Sequence, residues 1–345
     1  MQFFAVLSLV LFALPALTQT QTEAPVQPAA QPPVTQAPVT QAPATNVPQP
    51  PTGEGAQPAD AAPDQDAGVF VFKKSVEEVV LRATVVDDQR HPVTGLDQSA
   101  FTVFEDGVQQ RVTSFHRQDV PVAMGIVIDN SGSMRDKRDK VNEAVLNLLR
   151  QSNPQDEIFV VNFSQDSYLD QDFTSDLDLV HQALQKVSMR GTTALYDAIV
   201  ASSVHLINNT RLDNKVLLVI TDGEDNASRE TLEEARQKLQ QKKGPTLYAI
   251  GLTGGDLGRQ GHDALEGLAD SMGGASFFPS NLDELDNISL TIGRDIRSRY
   301  AIGYKSSNQG QNSNYRRVQV TAQARGYHQL TVRTRAGYYP GEQLK

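Results

Sequence analysis

The sequence predicts an α/β fold: a doubly wound, mostly parallel sheet inserted in a small antiparallel β-sandwich formed by both flanks. Three observations point there. Short Val/Ile/Leu-rich runs alternate with amphipathic helical segments through the middle of the chain. The segments on either side alternate apolar with polar residues at period two. Each flank is also too short to hold a core alone.

The central runs cover residues 123–128, 157–163, 215–220 and 246–251, as expected for strands buried on both faces. Between the first two, Val141, Ala144, Val145, Leu148 and Leu149 recur at helical spacing, and Asn153-Pro154 stops that helix. Val180, Ala183, Leu184 and Val187 repeat the pattern, as do Leu195, Ile199 and Leu206, then Leu232, Ala235 and Leu239 before Gly244. Leu285, Ile288, Ile292 and Ile296 stripe a last helix that runs into a strand at 299–303. Such alternation with short connections implies right-handed crossovers, and ligands of such sheets bind beyond the carboxyl ends of the strands.

In the upstream flank, residues 69–72, 77–86, 101–105 and 108–115 read as antiparallel strands. The last two are joined by Glu105-Asp106-Gly107, a hairpin turn signal. Downstream, 299–305, 316–323 and 329–334 alternate, with Val318, Val320 and Ala322 expected inward and Arg317, Gln319 and Thr321 toward water. The expected boundaries are 68–119 and 298–341 for the two parts of the sandwich and 120–297 for the inserted domain.

Residues 3–17 form an apolar run too short to span a bilayer comfortably, broken by Pro15. With no Lys or Arg before it, the run still reads as the core of a secretory signal peptide, residues 1–18. Residues 19–67 are a Pro/Ala/Gln/Thr-rich stretch with near repeats of Pro-Val-Thr-Gln-Ala-Pro, expected to be a disordered, extended tether. Export to a periplasm, cell surface or extracellular medium follows, without stable membrane insertion after cleavage.

The 345 residues include no Cys and no Trp. Disulfides, Cys-ligated metal sites, thiol nucleophiles and Cys acylation are therefore excluded. The net charge of −10 argues against nucleic acid as a partner. The six histidines are scattered, with no two at i, i+3 or i+4.

The most informative run is Asp129-Asn-Ser-Gly-Ser133, directly after a strand. Asp129, Ser131 and Ser133 place hard oxygen donors at i, i+2 and i+4, a pattern suited to Mg²⁺, which takes oxygen ligands and keeps several waters. Alone the motif is weak, because Asp-x-Ser-x-Ser is common in loops. Two further loops strengthen it. Thr221-Asp222-Gly223 ends a second apolar run, and the loop holding Thr193 opens a helix. With these three loops in order, the segment from about 121 to 297 closely resembles a von Willebrand factor type A domain, which has a Rossmann-like fold. Asp129, Ser131, Ser133, Thr193 and Asp222 match the five positions of that family's metal-ion-dependent adhesion site. The flanking motifs Val93-Thr-Gly-Leu96 and Arg335-Ala-Gly-Tyr-Tyr339 resemble the secreted type-A-related proteins of acidobacteria.

The resemblance implies an exported, metal-dependent binding module rather than an enzyme, with Mg²⁺ (or Mn²⁺ or Ca²⁺) coordinating an Asp or Glu of a protein partner. Asn130 is read as shaping the loop, and Arg190 as a steering or merely solvated charge. Two rivals stand beside it: an envelope scaffold needing no metal, and a metal-dependent hydrolase. For the hydrolase, Asp197 and Glu224 are the nearest candidate bases, and neither His-Glu-x-x-His nor Gly-x-Ser-x-Gly occurs. The downstream arginines (294, 297, 299, 316, 317, 325, 333 and 335) are expected on the wet side of the sandwich. Nothing in the residues fixes the oligomeric state.

Overall fold

The computed structural model describes residues 78–117, 120–186, 191–252, 257–308 and 314–341. The expected signal peptide, tether and strand at 69–72, together with Val187 and Arg190, lie outside the described residues. The upstream flank forms β1 (Val79–Val86), β2 (Phe101–Glu105), β3 (Val108–Gln110) and β4 (Val112–His116). The central region begins with β5 (Val122–Asp129), α1 (Arg138–Arg150), β6 (Glu157–Phe163), β7 (Ser167–Thr174), α2 (Leu177–Leu184) and α3 (Leu195–Asn209). It continues with β8 (Asn214–Thr221), α4 (Leu232–Leu239), β9 (Thr246–Gly251), α5 (Arg259–Ser271), β10 (Ala275–Phe277) and α6 (Leu285–Arg297). Downstream follow β11 (Tyr300–Tyr304), β12 (Arg316–Ala322), β13 (Thr331–Arg333) and β14 (Gly337–Tyr338).

The central sheet has the order β10-β9-β8-β5-β6-β7, and every pairing is parallel except that of the edge strand β7 with β6. All eight residues of β5 and of β8 are buried, because helices cover both faces. Met124, Ile126 and Ile128 face the side covered by α1, α2 and α6, while Ala123 and Val127 face α3, α4 and α5. From β5 the chain moves outward to β6 and β7, then returns to β8 on the other side and continues to β9 and β10. The carboxyl ends of β5 and β8 therefore flank the switch point, where this kind of sheet leaves a crevice.

The remaining strands make two four-stranded sheets, β13-β1-β11-β4 and β14-β12-β2-β3, and each takes strands from both flanks. One core joins them, including Leu81, Val85, Val103, Tyr300, Ile302, Val320 and Tyr338. Along β12 the alternation is strict: Val318, Val320 and Ala322 are buried and Arg317, Gln319 and Thr321 exposed.

Two expectations need correcting. The single strand expected at 108–115 is two strands in different sheets: β3 pairs with β2, whereas β4 pairs with β11. The Asp-Gly turn forms, with positive φ at both Asp106 and Gly107. After only three residues, however, Gln110 turns inward, its Oε1 accepting from Ser307 N at 2.9 Å, and the chain crosses the sandwich at Arg111. Second, Arg299, Arg316 and Arg335 are buried rather than wet. Each has an interior partner: Arg316 donates to the buried Glu105 at 3.3 Å, Arg299 to Thr246 Oγ1 at 2.8 Å, and Arg335 to the carbonyls of Gln241 and Lys242 at 2.7 and 2.6 Å.

Candidate metal centre

Asp129 is the last residue of β5, and Asp222 immediately follows β8, so parallel pairing of these strands delivers both carboxylates to one end of the sheet. Both are fully buried. The loop after β5 is held from below. Asn130 N donates to Phe163 O at 2.6 Å, and the buried guanidinium of Arg138 donates to the Asp129 carbonyl at 3.1 Å and to Asn162. Burial lowers the Arg138 pKa to about 10, against the pull of Asp129 and Asp170. Asn130 thus acts through its backbone, and its side-chain oxygen has no partner among the described residues.

The five sequence-predicted oxygen donors come together. Ser131 Oγ and Ser133 Oγ lie 3.1 Å apart, and Ser133 Oγ donates to Asp222 Oδ1 at 2.8 Å. Asp129 Oδ1 accepts from Ser131 N at 2.8 Å and Oδ2 from Thr221 Oγ1 at 2.6 Å. Thr193 is set by a reciprocal clasp with Asn226: its N–H donates to the Asn226 side chain at 2.8 Å, and Asn226 N donates to its carbonyl at 2.9 Å. Gly223 borders the same space. A Cβ there would stand 3.3 Å from Thr193 Oγ1 and 3.9 Å from Asp129 Oδ2. Two buried carboxylates and three hydroxyls, all hard oxygen, fit a divalent cation. Burial raises the Asp129 pKa, and the charge of Asp222 adds to the rise, while hydrogen bonds from Thr221 and Ser131 oppose it. A positive charge in this crevice would relieve both causes.

The sequence reading overlooked three contributors. Lys137 reaches Asp222 Oδ2 with its ammonium, and its side chain is only 11% exposed. Thr221 orients Asp129, and Asn226 fixes Thr193. Thr221 adjoins Asp222 in sequence, but the reach of Lys137 across to Asp222 has no signature in spacing.

The two candidate bases are occupied in holding loops. Asp197 accepts from the backbone N–H groups of Arg229 and Glu230, and Glu224 from that of Gly261 at 3.2 Å.

A family model for the von Willebrand factor type A domain matches residues 124–291, the stretch that carries β5 through most of α6. Residues 124–291 form a von Willebrand factor type A domain. Type A domains are typically metal-dependent adhesion or interaction modules and are generally non-catalytic. No curated protein sequence matches the chain. Among solved structures, a von Willebrand factor type A protein from Catenulispora acidiphila is similar at 15% identity and TM-score 0.46, covering 79% of this chain and 76% of that one. A mutant of the PilB minor pilin from Streptococcus sanguinis is similar at 13% identity and TM-score 0.45, covering 53% of this chain. Proximal thread matrix protein 1 from the mussel byssus, with a zinc-occupied MIDAS motif, is similar at 18% identity and TM-score 0.46, covering 56%. The chain spans 63% of the pilin's length and 49% of the byssus protein's.

Proposed function

We propose that the type A domain is a metal-dependent binding module in which Asp129, Ser131, Ser133, Thr193 and Asp222 hold one divalent cation, Mg²⁺ or a close substitute. The supporting observation is the convergence of three loops at the switch point, where two fully buried carboxylates meet three hydroxyls. Neutral hydroxyl ligands leave such a cation electrophilic, and the chemistry it supplies is an open position for a carboxylate oxygen. An Asp or Glu of a protein partner fits that position. Ser133 is exposed, which leaves the crevice open to a partner from solvent.

A hydrolytic reading has less support, because Asp197 accepts backbone N–H groups through both oxygens and Glu224 accepts one through Oε1. Export is part of the proposal and rests on the apolar run at 3–17. No described helix is long and apolar enough to cross a membrane.

The test is calorimetric titration of the full chain with Mg²⁺ and Mn²⁺, beside Asp129→Ala. One site is expected, abolished by the substitution, with a cation-dependent rise in melting temperature by linkage. Absence of uptake by the parent protein would refute the reading. Partner capture from an envelope fraction should then be lost on chelation, and capture that survives chelation would refute the metal bridge.

A further inference from the structure

One edge of the sandwich is left unpaired by its own strands. In an antiparallel sheet, alternate residues of a strand direct their backbone groups to opposite sides. Along β12 the odd positions face β2: Asp106 N donates to Arg317 O at 2.9 Å and Gln323 N to Ala100 O at 2.9 Å. The even positions face the other way, where Val318 N donates to Ala336 O at 2.8 Å. On that side β14 pairs only with Arg316 and Arg317. The residues before β14 turn aside. Ala336 N donates to Ser271 O at 2.9 Å, and β13 pairs with β1 in the opposite sheet. The N–H and C=O groups of Val320 and Ala322 therefore have no backbone partner among the described residues.

These groups border a groove of about 500 Å³. Val320 and Ala322 keep their side chains in the sandwich core, so what they offer the groove is backbone. The opposite wall rises from the turn at 324–327, where Tyr327 N donates to Ala324 O at 3.4 Å and Gly326 takes a φ of 91°. Tyr327 is 44% exposed, and the half-buried Leu330 and Val332 add apolar surface. No carboxylate, ammonium or guanidinium lines the groove, in a chain with 41 acidic and 31 basic residues. Edge strands are ordinarily guarded by charges, prolines or bulges. The edge strand β7 of the domain sheet has such a guard in Asp170 and Asp172. The open stretch of β12, residues 319–322, has none.

We propose that this groove binds an extended, uncharged peptide segment of a protein partner, which adds to β12 as a further strand. Strand addition supplies what Val320 and Ala322 lack, a donor and an acceptor at alternate positions. The open edge is roughly 13 Å long at ~3.3 Å per residue, which holds about four residues of partner strand. Side chains of that segment meet Tyr327, Leu330 and Val332, which favours apolar or aromatic residues. Charge matching sets the rest: a Lys, Arg, Asp or Glu would be seated against a lining with no counter-charge. A neutral glycan would also stack on Tyr327, but it does not match donors and acceptors alternating at strand spacing. The groove shares no residue with the metal loops and works whether or not they hold a cation.

The experiment uses the full chain in EDTA, so that the metal loops play no part. The probes are an array of capped octapeptides built from Val, Ile, Tyr, Thr, Ser and Gln, with cellohexaose and chitohexaose beside them. An octapeptide should bind and slow amide exchange about tenfold at Val320 and Ala322. Gln319 and Thr321, whose N–H groups already face β2, should be unchanged. N-methylation at alternate residues of the bound peptide should abolish binding, and at the intervening residues spare it. Ala322→Pro removes one groove-facing N–H without touching the ladder to β2 and should weaken binding about tenfold. Tyr327→Ala should do the same, and its exposed position lets it carry the test should Ala322→Pro fail to fold. Binding of no octapeptide, binding of the glycans alone, unchanged exchange at Val320 and Ala322, or undiminished binding in both variants would each overturn the proposal.

Discussion

Lys137 sets an ammonium against Asp222, one of the two carboxylates offered to the cation. The lysine and the cation therefore compete for one charge. Lys137→Met should act in opposite directions on the two forms of the protein. Without divalent cation, Asp222 is left buried and unpaired, and stability should fall by about 3 kcal/mol. With cation, the competitor is gone and Mg²⁺ should bind about tenfold more tightly, ~1.4 kcal/mol. Thermal melts with and without Mg²⁺ check both, and weaker Mg²⁺ binding in the variant would show that Lys137 assists the cation. At this scale the sequence was legible where chemistry and spacing coincide. Asp129, Ser131 and Ser133 were readable at i, i+2 and i+4, and Asp222 from its place after an apolar run. Lys137 was not, because a long flexible side chain reaches a target 85 positions away. Arg316 was half legible: it shares the inward parity of Val318 and Val320, but its charge argued for water until Glu105 appeared as its buried partner.

Among the elements, the buried strands were read to within a residue, since uninterrupted β-branched runs have few alternatives. The edge strand β7 was missed because Ser-Tyr-Leu-Asp-Gln-Asp-Phe-Thr mixes charges with apolar residues and has no fully buried position. The division of 108–115 was hidden because its alternation continues across the change of sheet. The apolar stripe of α6 was plain, yet the helix also has a polar tether: Asp295 accepts from Arg333 through both oxygens at 2.9 Å and from Tyr248 Oη at 2.7 Å. This joins the helix to β13 of the sandwich and to β9 of the domain sheet. Asp295→Ala strands the Tyr248 hydroxyl in the core and frees Arg333, at a cost of about 2–4 kcal/mol. Amide exchange should quicken in the last two turns of α6 while α1 keeps its protection. Equal acceleration in both helices would mean that the tether supports global stability only.

For the whole molecule, the decisive feature is how little the upstream flank pairs with itself. Of its four described strands only β2 and β3 are hydrogen-bonded to each other; β1 lies between β11 and β13, and β4 pairs with β11. The core those strands bury is completed by Tyr300, Ile302, Tyr304, Val318 and Val320, all from beyond the type A domain. A lone two-stranded hairpin is marginal in water. Residues 68–119 in isolation should therefore give a collapsed amide NMR spectrum and little regular circular dichroism. Residues 120–297 should fold alone, because both faces of their sheet are covered by their own helices. Supplying 298–341 as a separate peptide should restore dispersion to 68–119 if the two flanks are one folding unit. A dispersed spectrum from 68–119 alone would instead make the sandwich two independent pieces. The type A domain would then have no structural reason to transmit anything from its metal loops, through α6, to the strands that surround it.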